Sequence, residues 1–189
     1  PDYLRFEMAF MIYGIGFMMS LPVIPLFLVD DLELGYNTIG LARGAVTQLI
    51  MIGTIQVFGY YFDRSTPHRI GAMVFAALSI YPLILLAANY VDGAYKTFTA
   101  YIAFGYFGLV MSGVLLLWQL SSIRFSGDED AGVYHSVHVA ATGFRGLFAP
   151  LLGYFVMTSM GREFTLVICS ILFLLGSLMM IIARRIDTK

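Results

Sequence analysis

The chain has 189 residues, of which 59% are hydrophobic and 12% are charged, and its mean hydropathy is +0.83. Charged residues are about half as frequent as in a soluble domain, so the composition excludes a soluble globular protein and indicates an integral membrane protein. A net charge of -1 provides no basic surface for nucleic acid, and the single cysteine, Cys169, excludes a disulfide framework.

Six apolar segments alternate with short polar connectors along the chain. A helix needs about 20 mostly apolar residues to cross roughly 30 Å of hydrocarbon, because each residue adds about 1.5 Å. The segments that meet this length are residues 6–29, 38–62, 70–91, 97–123, 133–157 and 164–183. Turn residues such as Gly35, Asp92 and Gly93 lie in the connectors. The sequence therefore predicts an all-α integral membrane protein, with six transmembrane helices in a single domain over residues 1–189.

The distribution of lysine and arginine predicts the orientation, because these residues resist translocation across the membrane. Seven of them fall on the side that holds both termini and the even-numbered connectors: Arg5, Arg64, Arg69, Arg124, Arg184, Arg185 and Lys189. The other side holds two, Lys96 and Arg162. We therefore expect a protein of the bacterial cytoplasmic membrane with both termini in the cytoplasm.

The connector between the second and third segments, GYYFDRSTPHRI, carries Asp63, Arg64 and Arg69 after Gly59. Basic residues in such a loop also fit a role as topology anchors alone. The spacing resembles the signature loop of the major facilitator superfamily, Gly-x-x-x-Asp-Arg/Lys-x-Gly-Arg-Arg/Lys, between the second and third helices of each six-helix half. Thr66 stands where the family has its second glycine, and Arg69 comes one place late. This degenerate copy, with the end of the chain soon after the sixth segment, favours the second half of a transporter.

A second resemblance lies in the fifth segment, in the stretch TGFRGLFAPLLG. Its Gly143, Arg145, Gly146, Pro150 and Gly153 are similar to a fifth-helix motif of the same superfamily, Gly-x-x-x-Gly-Pro-x-x-Gly-Gly, that occurs in proton-coupled exporters. The residue before the proline and the residue after the last glycine depart from that motif. A general helix-packing stripe is the alternative, because glycines four residues apart let two helices approach closely in lipid.

The two motifs in their expected helices, the six segments and their orientation together resemble one half of a major facilitator fold over the whole chain, which implies six helices as a 3+3 inverted repeat. Such a protein is half of a secondary active transporter that moves a small solute by alternating access, and proton-coupled efflux is one form of this transport. The implied partners are membrane lipid, the small-molecule substrate, protons and a second six-helix unit, either the other half or a second copy. The resemblance implies no catalytic residue, no cofactor and no metal.

The signature loop of this family acts as a conformational latch and not as a reaction centre. By the resemblance, Gly59, Asp63, Arg64 and Arg69 belong to this latch, and the aspartate faces the N-terminal end of a helix in the other half. Arg124, at the end of the fourth segment, is the residue that we expect to pair with Asp63.

Two arginines lie inside predicted segments, where a charge costs about 2.5–3.5 kcal/mol on insertion scales. Arg43 is about two turns from the end of its helix, so its side chain either reaches the headgroups or lines a path. Arg145 lies halfway along its helix, and no carboxylate is expected deep in any segment. Three partners stay open for Arg145: backbone carbonyls, a carboxylate from the other half and an anionic substrate.

Other polar side chains in the apolar segments are candidates for the substrate or coupling path, because amides that face lipid are costly. His135 and His138 lie three residues apart on one helical face, and histidine takes up a proton between about pH 5 and 8. Two histidines without a nearby third ligand do not predict a metal site. The remaining candidates are Gln48, Gln56 and Gln119.

A six-helix intramembrane enzyme is the alternative from another functional class. Ser112 and Gly113 lack the Gly-x-Ser-Gly context of a rhomboid-type protease, and Asp92 and Gly93 lack the further residues of a CDP-alcohol transferase. A half-length transporter that works as a homodimer is a third possibility, which the native mass in detergent distinguishes from a monomer.

Overall fold

The computed structural model describes residues 2–187, and all regular secondary structure within this range is helical. Six helical segments are long and apolar enough to cross a membrane, as the hydropathy pattern predicts. Span 1 is Asp2–Asp31, span 2 Tyr36–Asp63, span 3 Pro67–Ala88, span 4 Ala94–Ser126, span 5 Ala131–Met160 and span 6 Arg162–Ile186. The all-α fold class and the six membrane-spanning helices are therefore confirmed.

Most spans are longer than the apolar segments that predicted them. Span 4, for example, was predicted over residues 97–123 and covers Ala94–Ser126. Hydropathy marks only the residues that match the hydrocarbon, whereas the helix continues until the backbone changes direction. Gly93 and Gly127, with φ of 57° and 54°, provide those changes on either side of span 4.

Three spans contain departures from a regular α-helix. Span 1 ends in a π-helical turn, Phe27–Asp31, and span 2 contains a second one, Leu41–Val46. Span 3 is divided at Ser79, three residues before Pro82, whose ring removes a backbone hydrogen bond and crowds the preceding turn. The regular helices are α1 (Asp2–Leu26), α2 (Tyr36–Gly40), α3 (Thr47–Asp63), α4 (Pro67–Leu78), α5 (Ile80–Ala88), α6 (Ala94–Ser126), α7 (Ala131–Met160) and α8 (Arg162–Asp187).

An aromatic cluster joins spans 1, 3 and 6 at the centre of the molecule. The rings of Tyr13 and Phe75 stack with centroids 4.1 Å apart and an interplanar angle of 6°. Phe10 meets Phe75 edge-on at 5.5 Å, and Phe173 of span 6 lies 5.7 Å from Tyr13. These side chains are at most 3% exposed, so they form the fixed centre around which the spans are arranged.

The connectors alternate between the two ends of the molecule. At one end, Arg162 forms ion pairs with Asp30 and Asp31, and Glu163 accepts a hydrogen bond from Asn89 at 2.8 Å. The start of span 1 and the connectors that precede spans 3 and 5 lie at the other end. We call this second end the arginine end, because Arg5, Arg64, Arg69, Arg124, Arg184 and Arg185 lie there; Lys189 is outside the described residues.

Spans 2 and 5 are much more exposed than the other four. Only 11% and 17% of their most apolar stretches are buried, against 44% to 56% in the other spans. Span 1 packs on spans 5 and 6, span 4 packs on spans 2 and 3, and spans 3 and 6 pack on each other. Spans 2 and 5 therefore lie at the sides of the bundle, with most of their surface facing outward.

Candidate functional site

Arg124 fastens the end of span 4 to the predicted latch loop. Its Nη2 atom donates to the carbonyl oxygens of Phe62 and Ser65, both at 2.8 Å, and lies 3.4 Å from that of Asp63. Among the described residues it forms no ion pair with the Asp63 carboxylate, so the expected pairing of these two side chains is corrected to a side chain-to-backbone contact. The physical reason is that a helix end leaves several carbonyl oxygens without partners, and these attract a cation.

The other latch residues face outward. Asp63, Arg64 and Arg69 are exposed, and the guanidinium of Arg64 lies 3.5 Å from the centroid of the Tyr60 ring. A Cβ atom added to Gly59 would meet nothing within 4 Å. The loop therefore presents its charges on the outside of the six-helix unit.

Thr66, which departs from the signature, has a local structural role. Its hydroxyl accepts a hydrogen bond from the backbone N–H of Arg69 at 3.4 Å, which caps α4. Pro67 follows at the first position of the helix, where its missing N–H costs nothing. A helix start of this kind needs no glycine.

Arg145 is buried between spans 1 and 5, with 4% of its surface exposed. Its Nη1 atom donates to the carbonyl oxygen of Phe10 at 2.9 Å, and its guanidinium lies 5.4 Å from the centroid of that residue's ring. Gly14 makes the space, because a Cβ atom there would lie 2.1 Å from the guanidinium carbon. The sequence left three possible partners for Arg145, and the structure shows one of them, a backbone carbonyl oxygen, at Phe10.

Glu7 and His138 form a second buried polar contact between the same spans. The Nδ1 atom of His138 lies 2.8 Å and 3.1 Å from the two carboxylate oxygens, and the side chains are 0% and 7% exposed for the histidine and the glutamate. Glu7 lies five residues from the start of span 1, near the arginine end, so it is buried against span 5 without lying deep in its span. Because Glu7 falls at the edge of the predicted segment, hydropathy assigns it to the interface, whereas the helix begins at Asp2 and buries it.

These contacts follow one continuous line along span 5. His138, Thr142 and Arg145 recur every three or four residues on one face of the helix, and Glu7 faces them from span 1. We call these four residues the polar seam. Thr142 Oγ1, His138 Nε2 and Arg145 Nε are buried, and none of the three atoms has a hydrogen-bond partner among the described residues.

His135 lies next to the seam and not within it. It is partly buried, and its ring centroid lies 5.8 Å from that of Trp118 and 6.4 Å from that of His138.

Within residues 2–187, no group of three histidine, cysteine, aspartate or glutamate side chains is arranged to hold a metal ion.

A cavity of about 320 Å³ extends from the middle of the molecule towards the end opposite the arginine end. Arg43 and Gln48 of span 2 line it with Tyr81 of span 3 and aromatic residues of spans 1, 4 and 6. We call it the Arg43 cavity. The structure thus brings together two of the predicted path residues, whereas Gln56 and Gln119 are exposed and lie outside its lining.

A π-helical segment and a close helix crossing shape this cavity. Arg43 lies within Leu41–Val46, and the Thr47 hydroxyl that follows is 3.0 Å from the Ala42 carbonyl oxygen and 3.2 Å from that of Phe104. A Cβ atom on Gly108 would lie 2.4 Å from the Thr47 carbonyl oxygen, so spans 2 and 4 touch backbone to backbone here. Such π-helical segments are frequent at functional sites.

The four small-residue positions predicted for helix packing are not equivalent. A Cβ atom on Gly153 would lie 2.3 Å from the carbonyl oxygen of Met19, so this glycine permits the crossing with span 1. The corresponding atom on Gly146 would make an ordinary contact, and on Gly143 it would meet nothing within 4 Å. Pro150 lies inside the helix and is partly buried.

No protein-family model, curated protein or solved structure matches this chain. The six apolar helices indicate an integral membrane protein. Membership of the major facilitator superfamily stays a prediction from the two motifs.

Replacing Gly153 by valine is expected to destabilise the protein, whereas Gly143→Val is expected to be neutral. Adding side-chain atoms to a close-packed site costs about 1–3 kcal/mol. At Gly153 the added atoms would meet the backbone of Met19, which cannot move to another rotamer as a side chain can. The midpoint of thermal unfolding in detergent measures the difference. Equal midpoints for the two variants would contradict the crossing at Gly153.

Replacing Glu7 by leucine is expected to cost about 3–5 kcal/mol, because His138 then stays buried without its acidic partner. The double variant Glu7→Leu/His138→Leu should recover much of this loss, since neither polar group remains. A double-mutant cycle of unfolding free energies measures the coupling. Glu33→Leu, at an exposed glutamate, is the control, and additive effects of the two seam substitutions would disprove the coupling.

Proposed function

We propose that this chain is one six-helix half of a secondary active transporter that moves a small solute by alternating access, coupled to protons. The polar seam is the observation that carries this proposal. An arginine, a glutamate and a histidine are buried together in a molecule whose surroundings are lipid, where such groups are expensive and mark substrate, ion or proton pathways.

The atoms of the seam that lack partners support a role beyond packing. Each buried polar atom without a partner costs about 1–3 kcal/mol, so these atoms favour a further polar partner. Donors and acceptors remain at Arg145, His138 and Thr142, on the side of span 5 that faces spans 1 and 4. They provide places for water molecules or for polar groups of a solute.

Glu7 and His138 are suited to take up and release a proton. The carboxylate and the imidazole lie within hydrogen-bond distance, so one proton can pass between them. Arg145 adds a fixed positive charge close enough to act on Glu7. In this mechanism the proton changes the charge balance between spans 1 and 5, and the change favours one orientation of the transporter over the other.

The exposed faces of spans 2 and 5 support docking of a second six-helix unit. Their outward surfaces mix polar and small residues with large apolar side chains. The polar and small ones are Gln48, Gln56, Ser136, Gly143 and Thr158, and the apolar ones include Leu49, Ile52, Phe144, Leu147 and Leu151. The outward surface of span 6 is apolar in comparison, with Ile171, Leu174, Leu175 and Leu178 exposed. Span 6 thus suits lipid alone, whereas the mixed surfaces of spans 2 and 5 also suit a protein partner.

The neighbour relations of the spans support the 3+3 arrangement. An inverted repeat makes span 1 equivalent to span 4, span 2 to span 5 and span 3 to span 6. The contact between spans 1 and 6 is then equivalent to the contact between spans 4 and 3. Likewise, the contact between spans 1 and 5 is equivalent to the contact between spans 4 and 2. The structure contains all four of these contacts. The contact between spans 4 and 5 departs from this symmetry, because its counterpart between spans 1 and 2 is weaker.

The latch residues complete the proposal at the arginine end. Asp63 is exposed at the end of span 2, where its carboxylate is available to a helix terminus of the second unit. We propose that the arginine end faces the cytoplasm, as positively charged ends of membrane proteins generally do.

In the full-length protein, Asp63→Asn and Arg145→Ala are each expected to abolish transport without removing the protein from the membrane. The first removes the charge that meets the second unit, and the second removes the cation of the seam. Transport into proteoliposomes, screened over small solutes with and without a proton gradient, measures the effect. Asp92→Asn, at the opposite end of the molecule, is the control, and unchanged transport in both variants would refute the assignment.

Cysteines placed on span 2 are expected to react with a water-soluble maleimide in membranes, whereas a cysteine on span 6 is not. The variants are Gln48→Cys and Gln56→Cys, compared with Leu175→Cys, all with the buried Cys169 replaced by serine. The reason is that span 2 borders an aqueous path and span 6 borders lipid. Equal labelling at all three positions would contradict this division.

The native mass of the chain in detergent is a separate measurement. It shows whether the second six-helix unit is another copy of this chain.

A further inference from the structure

Three arginines surround a groove between the start of span 3 and the end of span 6. The groove has a volume of about 340 Å³ and is lined by Arg69, Arg184 and Arg185, with Ala72 and Ile181 as its apolar part. It lies at the arginine end of the molecule, away from both the polar seam and the Arg43 cavity.

Contacts between spans 3 and 6 hold this groove in shape. The Ser177 hydroxyl donates to the carbonyl oxygen of Ala72 at 2.7 Å, directly beside the apolar part. One turn along, a Cβ atom on Gly71 would lie 3.1 Å from the Met180 side chain, so the two helices are close-packed here. The groove is therefore a feature of the single six-helix unit and does not depend on a second one.

The chemistry of the groove fits a phosphate group with hydrocarbon below it. Arginine binds phosphate through paired N–H donors, and three such side chains line one small volume. Arg69 is in the first turn of α4, where the helix dipole also favours an anion. Towards the middle of the spans, Met73 and Leu178 are exposed and apolar, as a surface for acyl chains requires.

We propose that this groove binds an anionic phospholipid, with its phosphate held by Arg69, Arg184 and Arg185 and its chains lying against spans 3 and 6. Basic pockets between transmembrane helices on the cytoplasmic side suit such headgroups. The proposal requires that the chain is embedded in a membrane, and it does not rest on transport.

Native mass spectrometry of the purified chain in detergent tests the proposal. The occupancy of bound lipid is measured against the concentration of phosphatidylglycerol, and separately against phosphatidylcholine with the same acyl chains. Phosphatidylglycerol is expected to bind more tightly, and Arg69→Gln is expected to weaken its binding about fivefold. The triple variant Arg69→Gln/Arg184→Gln/Arg185→Gln is expected to reduce it to the level of phosphatidylcholine.

Lys96→Gln is the matched control, because it removes one positive charge at the opposite end of the molecule and should leave lipid binding unchanged. If the triple variant does not fold, the single Arg69→Gln variant still decides the question. Equal binding of the two lipids, or phosphatidylglycerol binding that is unchanged in the arginine variants, would overturn the proposal. Glycerol phosphate that competes as strongly as the whole lipid would show a site for free phosphate compounds instead.

Discussion

The structure depends on the burial of charge between two parallel helices in an apolar molecule. Spans 1 and 5 meet through Arg145 on a carbonyl oxygen and through Glu7 on His138, both with little or no exposure. Each of these contacts requires one particular donor to meet one particular acceptor, so together they specify a single register of the two helices. Gly14 and Gly153 are the positions where the close approach requires the absence of a side chain.

The position of span 5 determines which surfaces remain outside. One face of span 5 packs against the rest of the bundle through the polar seam. The opposite face, which includes Gly143 and its neighbours, is therefore exposed. Span 2 has the same relation to span 4 through Thr47 and Gly108, and it leaves Gln48 and Gln56 outside. Both outward faces mix these small or polar residues with large apolar ones such as Leu49 and Leu147, which is the composition of a surface that packs against another membrane protein.

Length and hydropathy were sufficient to predict the six helices, because a membrane span is a signal of composition that needs no knowledge of tertiary contacts. The burial of Arg145 followed from its position halfway along a span. Glu7 was missed because its partner lies 131 residues away, and one sequence contains no record of which helices meet. Arg124 was assigned to the Asp63 carboxylate, but it donates to the carbonyl oxygens that the end of span 2 leaves without helical partners.

The link between spans 5 and 6 is a single residue, Gly161, with φ of 92°. Its N–H donates to the Met157 carbonyl oxygen, and its own carbonyl oxygen accepts from Thr165, so each helix holds the link directly. A connection of this length keeps the end of span 5 and the start of span 6 at a fixed separation. The uninterrupted helix Arg162–Asp187 joins this link to Arg184 and Arg185, so the turn at Gly161 helps to determine where the groove lies.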